Sequence, residues 1–422
     1  MLTACAELAQ SPERYCDGIG TSPDVCSQND RTSQMRIAQI APLIESVPPR
    51  LYGGTERIVS YLCEELVAQG HDVTLFASGE SRTSARLVPC CDQALRLDPG
   101  VFDVIPYFML MMDKVRSMAA QFDILHFHID QFHFPVFREI SNRTVTTLHG
   151  RQDLPDLKKL YAGFPEMPLV SISIAQRAPL PDVAFAGNVP HGLPRDLLAP
   201  SLNARGGYLA FLGRIAPEKR VDRAIEIARA VGLPLKIAAK VDRVDEAYFR
   251  TTIEPLLRKP GIEYIGEIDD HAKSRFLGNA RALLFPIDWP EPFGLVMIEA
   301  MACGTPVLAF DRGAVREVVD AGVTGYVVDS VGEAICKVGS VLALDRGQVR
   351  RRFEERFTVT RMTRDYLGIY TSLIEKRTSP PRVRTSPLIV ANGPAEVAER
   401  HAAVGLREGI PIAAAGGPRT GS

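Results

Sequence analysis

The chain predicts an α/β fold laid out as two successive domains, each built on a parallel sheet. Three observations carry this. At 422 residues the chain is long enough for two hydrophobic cores. Short apolar runs alternate with amphipathic helical stretches along most of its length. Those runs are continuously apolar instead of alternating, as expected for strands buried on both faces of a sheet.

Residues 1–34 are rich in Ser, Asp, Gly and Pro and lack an apolar period, so they read as a disordered N-terminal extension. MRIAQIAPLI (35–44) is the first strand, and ESVPPRLYGGTE follows as a loop. A helix is predicted from about Glu56 to Gln69, with Ile58, Val59, Leu62, Leu66 and Val67 on its apolar face; Gly70 stops it. HDVTLFAS then completes a βαβ unit. FDILHFH (122–128), TVTTLHG (144–150) and PLVSIS (168–173) are further strands, so a first domain spans roughly 35–200. SLNARGG (201–207) reads as a linker.

The second series opens with the strand YLAFLGR (208–214), followed by a helix over 217–232 with Pro217 in its first turn. LKIAAKV (235–241), IEYIGEI (262–268), LLFPI (283–287) and TPVLAF (305–310) continue the strands, with helical stretches between them. The alternation defines a second domain of nucleotide-binding type across 208–345. A helical segment over 346–376 is expected to pack back toward the first domain, and 377–422 reads as a flexible tail.

Bulk composition narrows the function. The apolar fraction is 46%, the charged fraction 23% and the formal net charge −1, all ordinary for a soluble enzyme. A neutral balance with one tryptophan argues against a nucleic-acid partner. No apolar stretch reaches bilayer-spanning length, and the N-terminus lacks the apolar core of a signal peptide, so a cytoplasmic location is the default expectation. The patch Phe108–Met112 reads as a buried helix turn and leaves peripheral membrane contact open. The eight cysteines are scattered and read as free thiols. His126 and His128 could share a strand face, but nothing supplies third and fourth metal ligands, so no metal is expected.

The chemistry concentrates in a few places. Glu291 and Glu299 stand eight residues apart in DWPEPFGLVMIEAMACGTPVLAF. Pro290 and Pro292 place Glu291 in a loop before a helix, and Glu299 lies inside that helix among apolar neighbours, where a charge needs a partner. The amides of Phe293, Gly294 and Leu295 fall at the helix start and can hold a sugar or phosphate oxygen. Gly53 and Gly54 give close backbone approach after the first strand, although no dinucleotide fingerprint is present. Arg214 and Lys219, at a strand end and in the first helical turn, suit a diphosphate. His149 closes TVTTLHG with room to face an interdomain cleft, and His191 lies in an apolar loop; His71 reads as a turn residue.

These motifs resemble the retaining nucleotide-sugar glycosyltransferases of family 4, also known as glycosyl transferases group 1, over most of 35–376. Glu291–Glu299 matches that family's E-x7-E signature, and GRIAPEKR (213–220) and YGGTE (52–56) fit its pattern. The resemblance implies the GT-B architecture: two Rossmann-like domains facing each other across a cleft. It implies a hexosyltransferase that uses a nucleoside-diphosphate sugar, UDP-glucose by preference, with no cofactor and no metal ion. His149 and Glu291 would contact the transferred sugar. Arg214 and Lys219 would neutralise the leaving diphosphate. Gly53, Gly54, Phe293, Gly294 and Leu295 would hold donor or acceptor through backbone, and Glu299 would bind the ribose. The acceptor is unspecified: a metabolite, a lipid-linked sugar or a glycan. Three positions depart from the family pattern: AAKVDR (238–243) replaces a glycine-rich turn, His191–Gly192 stands for Asn-Gly, and Asp311–Arg312–Gly313 replaces a small pair. Lys240, Arg243 and Arg312 are thereby candidates for donor contacts. A phosphorolytic or sugar-phosphate-linking enzyme on the same frame, and a non-catalytic sugar-nucleotide sensor, are the alternatives.

Overall fold

The computed structural model describes residues 34–50, 53–204 and 206–378. Residues 1–33 of the N-terminal extension expected over 1–34, Tyr52 of the YGGTE loop and residues 379–422 of the tail expected over 377–422 lie outside those residues, and 377–378 end the last helix instead. Two wholly parallel sheets organise the rest. The first has seven strands in the order β3-β2-β1-β4-β5-β6-β7. They are β1 (Arg36–Ile40), β2 (Asp72–Ser78), β3 (Arg86–Cys91), β4 (Ile124–Phe127), β5 (Thr144–Thr147), β6 (Leu169–Ser171) and β7 (Phe185–Asn188). The second has six, in the order β10-β9-β8-β11-β12-β13. These are β8 (Leu209–Arg214), β9 (Leu235–Lys240), β10 (Ile262–Gly266), β11 (Ala282–Phe285), β12 (Val307–Phe310) and β13 (Gly325–Val328).

Helices cover both faces of each sheet, as continuous apolar strands require. Helix α1 (Gly54–Ala68) buries Ile58, Val59, Leu62, Cys63 and Leu66 on one face of the first sheet. Helix α2 (Ile105–Met118) buries Phe108, Met111, Met112 and Val115 on the other. The Phe108–Met112 patch is only partly the buried turn expected of it: Met109 and Leu110 are 68% and 67% exposed, since five consecutive positions sweep right round a helix. In the second sheet, α3 (Val221–Ala230) and α6 (Val331–Leu342) share one core. Helices α5 (Leu295–Ala302) and α7 (Arg346–Arg356) share the core on the opposite face, next to α4 (Asp270–Asn279). Asp269, Ser330 and Asp345 cap α4, α6 and α7 by accepting from backbone N–H groups.

The 346–376 stretch divides. Helix α7 stays on the second sheet, where Arg346 donates to the carbonyls of Ser201, Gly278 and Ala280, and Arg350 to those of Arg195 and Ala302. The chain then crosses at Phe357–Val359, bonding Leu193 on both sides, and α8 (Val359–Thr378) packs on the first sheet. There Met362, Tyr366 and Tyr370 share a core with α1.

The predicted helix over 217–232 is also broken. Pro217–Lys219 form a short 3-10 turn, Arg220 takes φ 51°, and α3 starts only at Val221. Asp222 and Asp288 hold the Arg220 guanidinium. Lys219 therefore precedes the helix instead of lying in its first turn.

Candidate active site

Strand order decides where a ligand can sit. The winding of the chain reverses between β1 and β4 in the first sheet and between β8 and β11 in the second. Crevices open beyond the carboxyl ends of strands at such points. A cavity of about 590 Å³ occupies this place and takes its walls from both sheets. Gly53, Gly54, His149, Arg214, Lys219, Glu291, Phe293, Gly294, Leu295 and Glu299, the residues that the family motifs mark as catalytic or binding, all line it.

The first-sheet wall is built from the loop after β1 and the end of β5. Gly53 has φ 152°, and a Cβ there would fall 2.7 Å from Pro49 Cβ, so packing against Pro49 already demands glycine. Glu56 follows at the start of α1, and burial pushes its carboxyl up to about 7. Arg57, also buried, forms an ion pair with Asp270 of α4 and so ties the two walls together. His149 Nε2 lies 2.9 Å from Nδ1 of buried His128. The His149 and His191 rings stack with centroids 5.3 Å apart. Burial pushes the His149 imidazole down to about 3 and that of His191 well below its usual value, so both rings are neutral at neutral pH. His71 is more than a turn residue: it is buried and accepts the Met35 N–H at Nδ1.

The second-sheet wall is built from ion pairs. Lys219 Nζ lies 2.7 Å from Glu291 Oε2, and the Trp289 indole N–H donates to the same oxygen at 2.8 Å. Lys219 also stands 4.8 Å from the centre of the Trp289 ring, a cation–π distance. The Glu291 backbone is fixed by the Ala314 N–H, which donates to its carbonyl at 2.9 Å. Ser173 of the first half donates to the Pro292 carbonyl at 2.7 Å. Gly294 caps α5 with φ 84°, a left-handed backbone that any side chain would strain, while a Cβ there would clash only with the flexible end of Met297, its Cε, at 2.6 Å. Glu299 is buried and accepts from Lys273 at 2.7 Å. Burial alone would lower the Lys273 ammonium, but Glu299 and Asp270 hold it above its usual value.

Arg214 is heavily compensated. It donates to Glu218 at 2.5 Å and to Asp242 at 3.4 Å, with Asp245 at 3.7 Å. Asp242 also pairs with Lys240 at 3.0 Å; although burial would raise it, the two cations keep its carboxyl below the usual range. Lys240 lines the cavity, whereas Arg243 and Arg312 do not. Arg312 turns instead to Asp288, which Arg220 and Arg223 also hold, so a direct donor contact by Arg312 is not what this structure shows.

Sequence reasoning missed Lys273, Trp289, Glu56 and Arg57. Two of these carried a local signal: Trp289 is the chain's one tryptophan and stands two residues before Glu291, and Glu56 closes YGGTE. The described residues contain no group of three or more His, Cys, Asp or Glu side chains placed to hold a metal ion, and no helix long and apolar enough to cross a membrane.

Two facing α/β halves, each with its winding reversal at a shared cleft, make up the GT-B architecture. The chain belongs to the GT-B glycosyltransferase superfamily and is a glycosyltransferase. The family model described as glycosyl transferases group 1 matches residues 199–356, and that of glycosyltransferase family 4 matches 52–177. The chain is similar to a phosphatidyl-myo-inositol mannosyltransferase of Mycobacterium leprae, 27% identical over 75% of this chain and 89% of that protein. It is also similar to an N-acetyl-alpha-D-glucosaminyl L-malate synthase of Bacillus anthracis, 25% identical over 68% of this chain and 81% of that one. In fold it resembles sucrose-phosphate synthase of Thermosynechococcus elongatus, with a TM-score of 0.68 at 19% identity, over 81% of this chain and 100% of that structure.

Proposed function

We propose that the chain moves a hexosyl group from a nucleoside-diphosphate sugar to an acceptor hydroxyl, with retention at the anomeric carbon and without a divalent ion. The observation that carries this reading is the single cavity in which the Lys219–Glu291 pair, the start of α5, Glu299 and the neutral His149 converge.

The chemistry follows from charge. The bond from the anomeric carbon to the diphosphate breaks, its electron pair leaves with the diphosphate, the acceptor oxygen bonds to carbon, and the acceptor's hydroxyl proton passes to the departing phosphate oxygen. Negative charge grows on the phosphate as positive charge grows on the sugar. Lys219 and Arg214 neutralise the first, together with unpaired N–H groups at the start of α5. Lys219 has three donors and can keep Glu291 while binding phosphate. Both protein contacts to Glu291 use Oε2, which leaves Oε1 for a sugar hydroxyl. Lys273 holds Glu299 through Oε1, leaving Oε2 for a ribose diol. A neutral imidazole at His149 can pack against the sugar without repelling its developing positive charge.

The names of the similar proteins support sugar transfer to acceptors as different as a phosphoinositide and malate, so the acceptor belongs to experiment. The mannosyltransferase among them also makes a nucleoside-diphosphate mannose a second donor to set beside UDP-glucose. Thermal shift over UDP-, GDP- and ADP-sugars should show stabilisation by at least one donor. NMR of the product should show an unchanged anomeric configuration, and turnover should persist in chelator. Activity that vanishes with chelator and returns with magnesium would overturn the metal-independent step. If no donor stabilises the protein, the reading fails. Donor binding without turnover would point to a sensor, and turnover with inorganic phosphate as acceptor to a phosphorolytic enzyme.

A further inference from the structure

Behind His149 a chain of buried polar groups runs through the first sheet to α8. His149 Nε2 meets His128 Nδ1 at 2.9 Å, and His128 Nε2 meets Gln39 Oε1 at 2.8 Å. Gln39 Nε2 donates to the Tyr370 hydroxyl at 3.3 Å, and that hydroxyl lies 2.7 Å from His126 Nδ1. His126 Nε2 meets Thr147 Oγ1 at 2.8 Å, and Thr147 meets the Tyr366 hydroxyl at 2.9 Å. Gln39, His126, Thr147, Tyr366 and Tyr370 are fully buried and His128 nearly so. Burial drives the His126 and His128 rings well below their usual values, so each carries one ring proton.

A neutral imidazole has one donor and one acceptor, and a primary amide has a fixed donor end and a fixed acceptor end. One orientation of Gln39 therefore sets every link. With Oε1 toward His128, His128 Nε2 carries the proton and its Nδ1 is bare. His149 must then donate through Nε2, which leaves its Nδ1 bare. On the other side Tyr370 accepts from Gln39 and donates to His126, whose Nε2–H donates to Thr147. Reversing the amide would reverse all of these and put a proton on His149 Nδ1. That atom is shielded from water and has no protein partner. A shielded N–H without an acceptor is less tolerable than a bare lone pair, which selects the first arrangement.

We propose that Gln39, acting through His128, fixes His149 as the Nε2–H tautomer, so that His128 holds the neutral ring in one orientation where it faces the transferred sugar. This rests on the reading of His149 as a sugar contact. Gln39 and His128 are positioning residues, and Tyr370 reaches the site from α8 by holding the amide of Gln39.

Long-range proton–nitrogen correlation spectra of the full chain, labelled with ¹⁵N-histidine, test this directly. The His149 signals are identified by their loss in His149→Ala. A protonated Nε2 and a bare Nδ1 are expected in the ligand-free protein. Tyr370→Phe keeps the ring but removes the amide's acceptor, so His149 should become a mixture of tautomers and kcat/KM should fall about tenfold. Gln39→Leu should shift the same signals. A role in packing alone would lower Tm and leave the ring signals in place. A protonated Nδ1 in the native protein, or unchanged His149 signals in both variants, would overturn the proposal. An unchanged donor KM and kcat in His149→Ala would overturn the sugar contact beneath it, whatever tautomer the spectra show.

Discussion

The two walls of the cleft differ in kind. Around the end of β5 the wall from the first sheet presents neutral groups, the imidazoles of His149 and His191, with a chain of uncharged hydrogen bonds behind His149, and its charges, Arg57 and Arg96, lie elsewhere on the lining. The wall from the second sheet is made of cation–carboxylate pairs: Lys219–Glu291, Lys273–Glu299 and Arg214 with its three acids. Such division suits a reaction in which one product takes away negative charge and the other reactant must not be ionised. Buried ion pairs are costly to build, and removing one partner leaves the other uncompensated, so the charged wall should be far less tolerant of substitution.

The largest effect is expected from Lys219→Ala, which removes a cation from the leaving group and strips Glu291 of its partner. A fall in kcat of about a hundredfold is expected by steady-state kinetics, and an unchanged kcat would remove Lys219 from the charged wall's function. Arg214→Ala should cost less, about tenfold, because three carboxylates already compensate that guanidinium. Glu299→Gln should raise the donor KM about tenfold and leave kcat within about twofold, the pattern of lost ground-state binding. A drop confined to kcat would move Glu299 to the reacting centre instead. Asp242→Asn should lower the donor KM about threefold, since it frees Lys240 and Arg214 from a competing carboxylate.

The neutral wall is best challenged with acid. Burial holds His126, His128, His133, His149 and His191 below their usual imidazole value of 6.5. The unfolded chain then binds more protons than the folded one below that pH. Stability is therefore full above about 6.5 and declines as pH falls. Glu56 acts in the opposite sense: its carboxyl is raised from 4.5 to about 7, so its contribution is present at low pH and lost as pH rises through about 7. With His71 also lowered, six rings outweigh the raised carboxyls of Glu56, Glu45, Asp130 and Asp245, so Tm should fall by several degrees between pH 7 and pH 5. A flat profile over that range would show that the rings are hydrated or already charged.

Much of the site was legible because its parts are local. Glu291, the helix start and Glu299 fall within nine residues, and strand ends marked by histidine or arginine can be read from apolar runs. The buried partners were not legible, because they come from far away in sequence. Lys273 precedes Glu299 by 26 residues, and Tyr370 meets His126 across 244. Strands β3 and β7 escaped notice because their exposed or half-buried positions break the apolar run. The break at Arg220 was hidden because nothing in the local sequence marks a non-glycine residue for positive φ.

Helix α8 is the last described element, yet Met362, Tyr366 and Tyr370 help to complete the core that holds α1. On the ribosome, the half made first must therefore wait, one face uncovered, until the half made second has emerged. Chaperone binding and protease nicking should accordingly concentrate on that earlier half during synthesis. A hybrid enzyme joined near residue 200 should carry its own closing helix from the same parent as its opening strands.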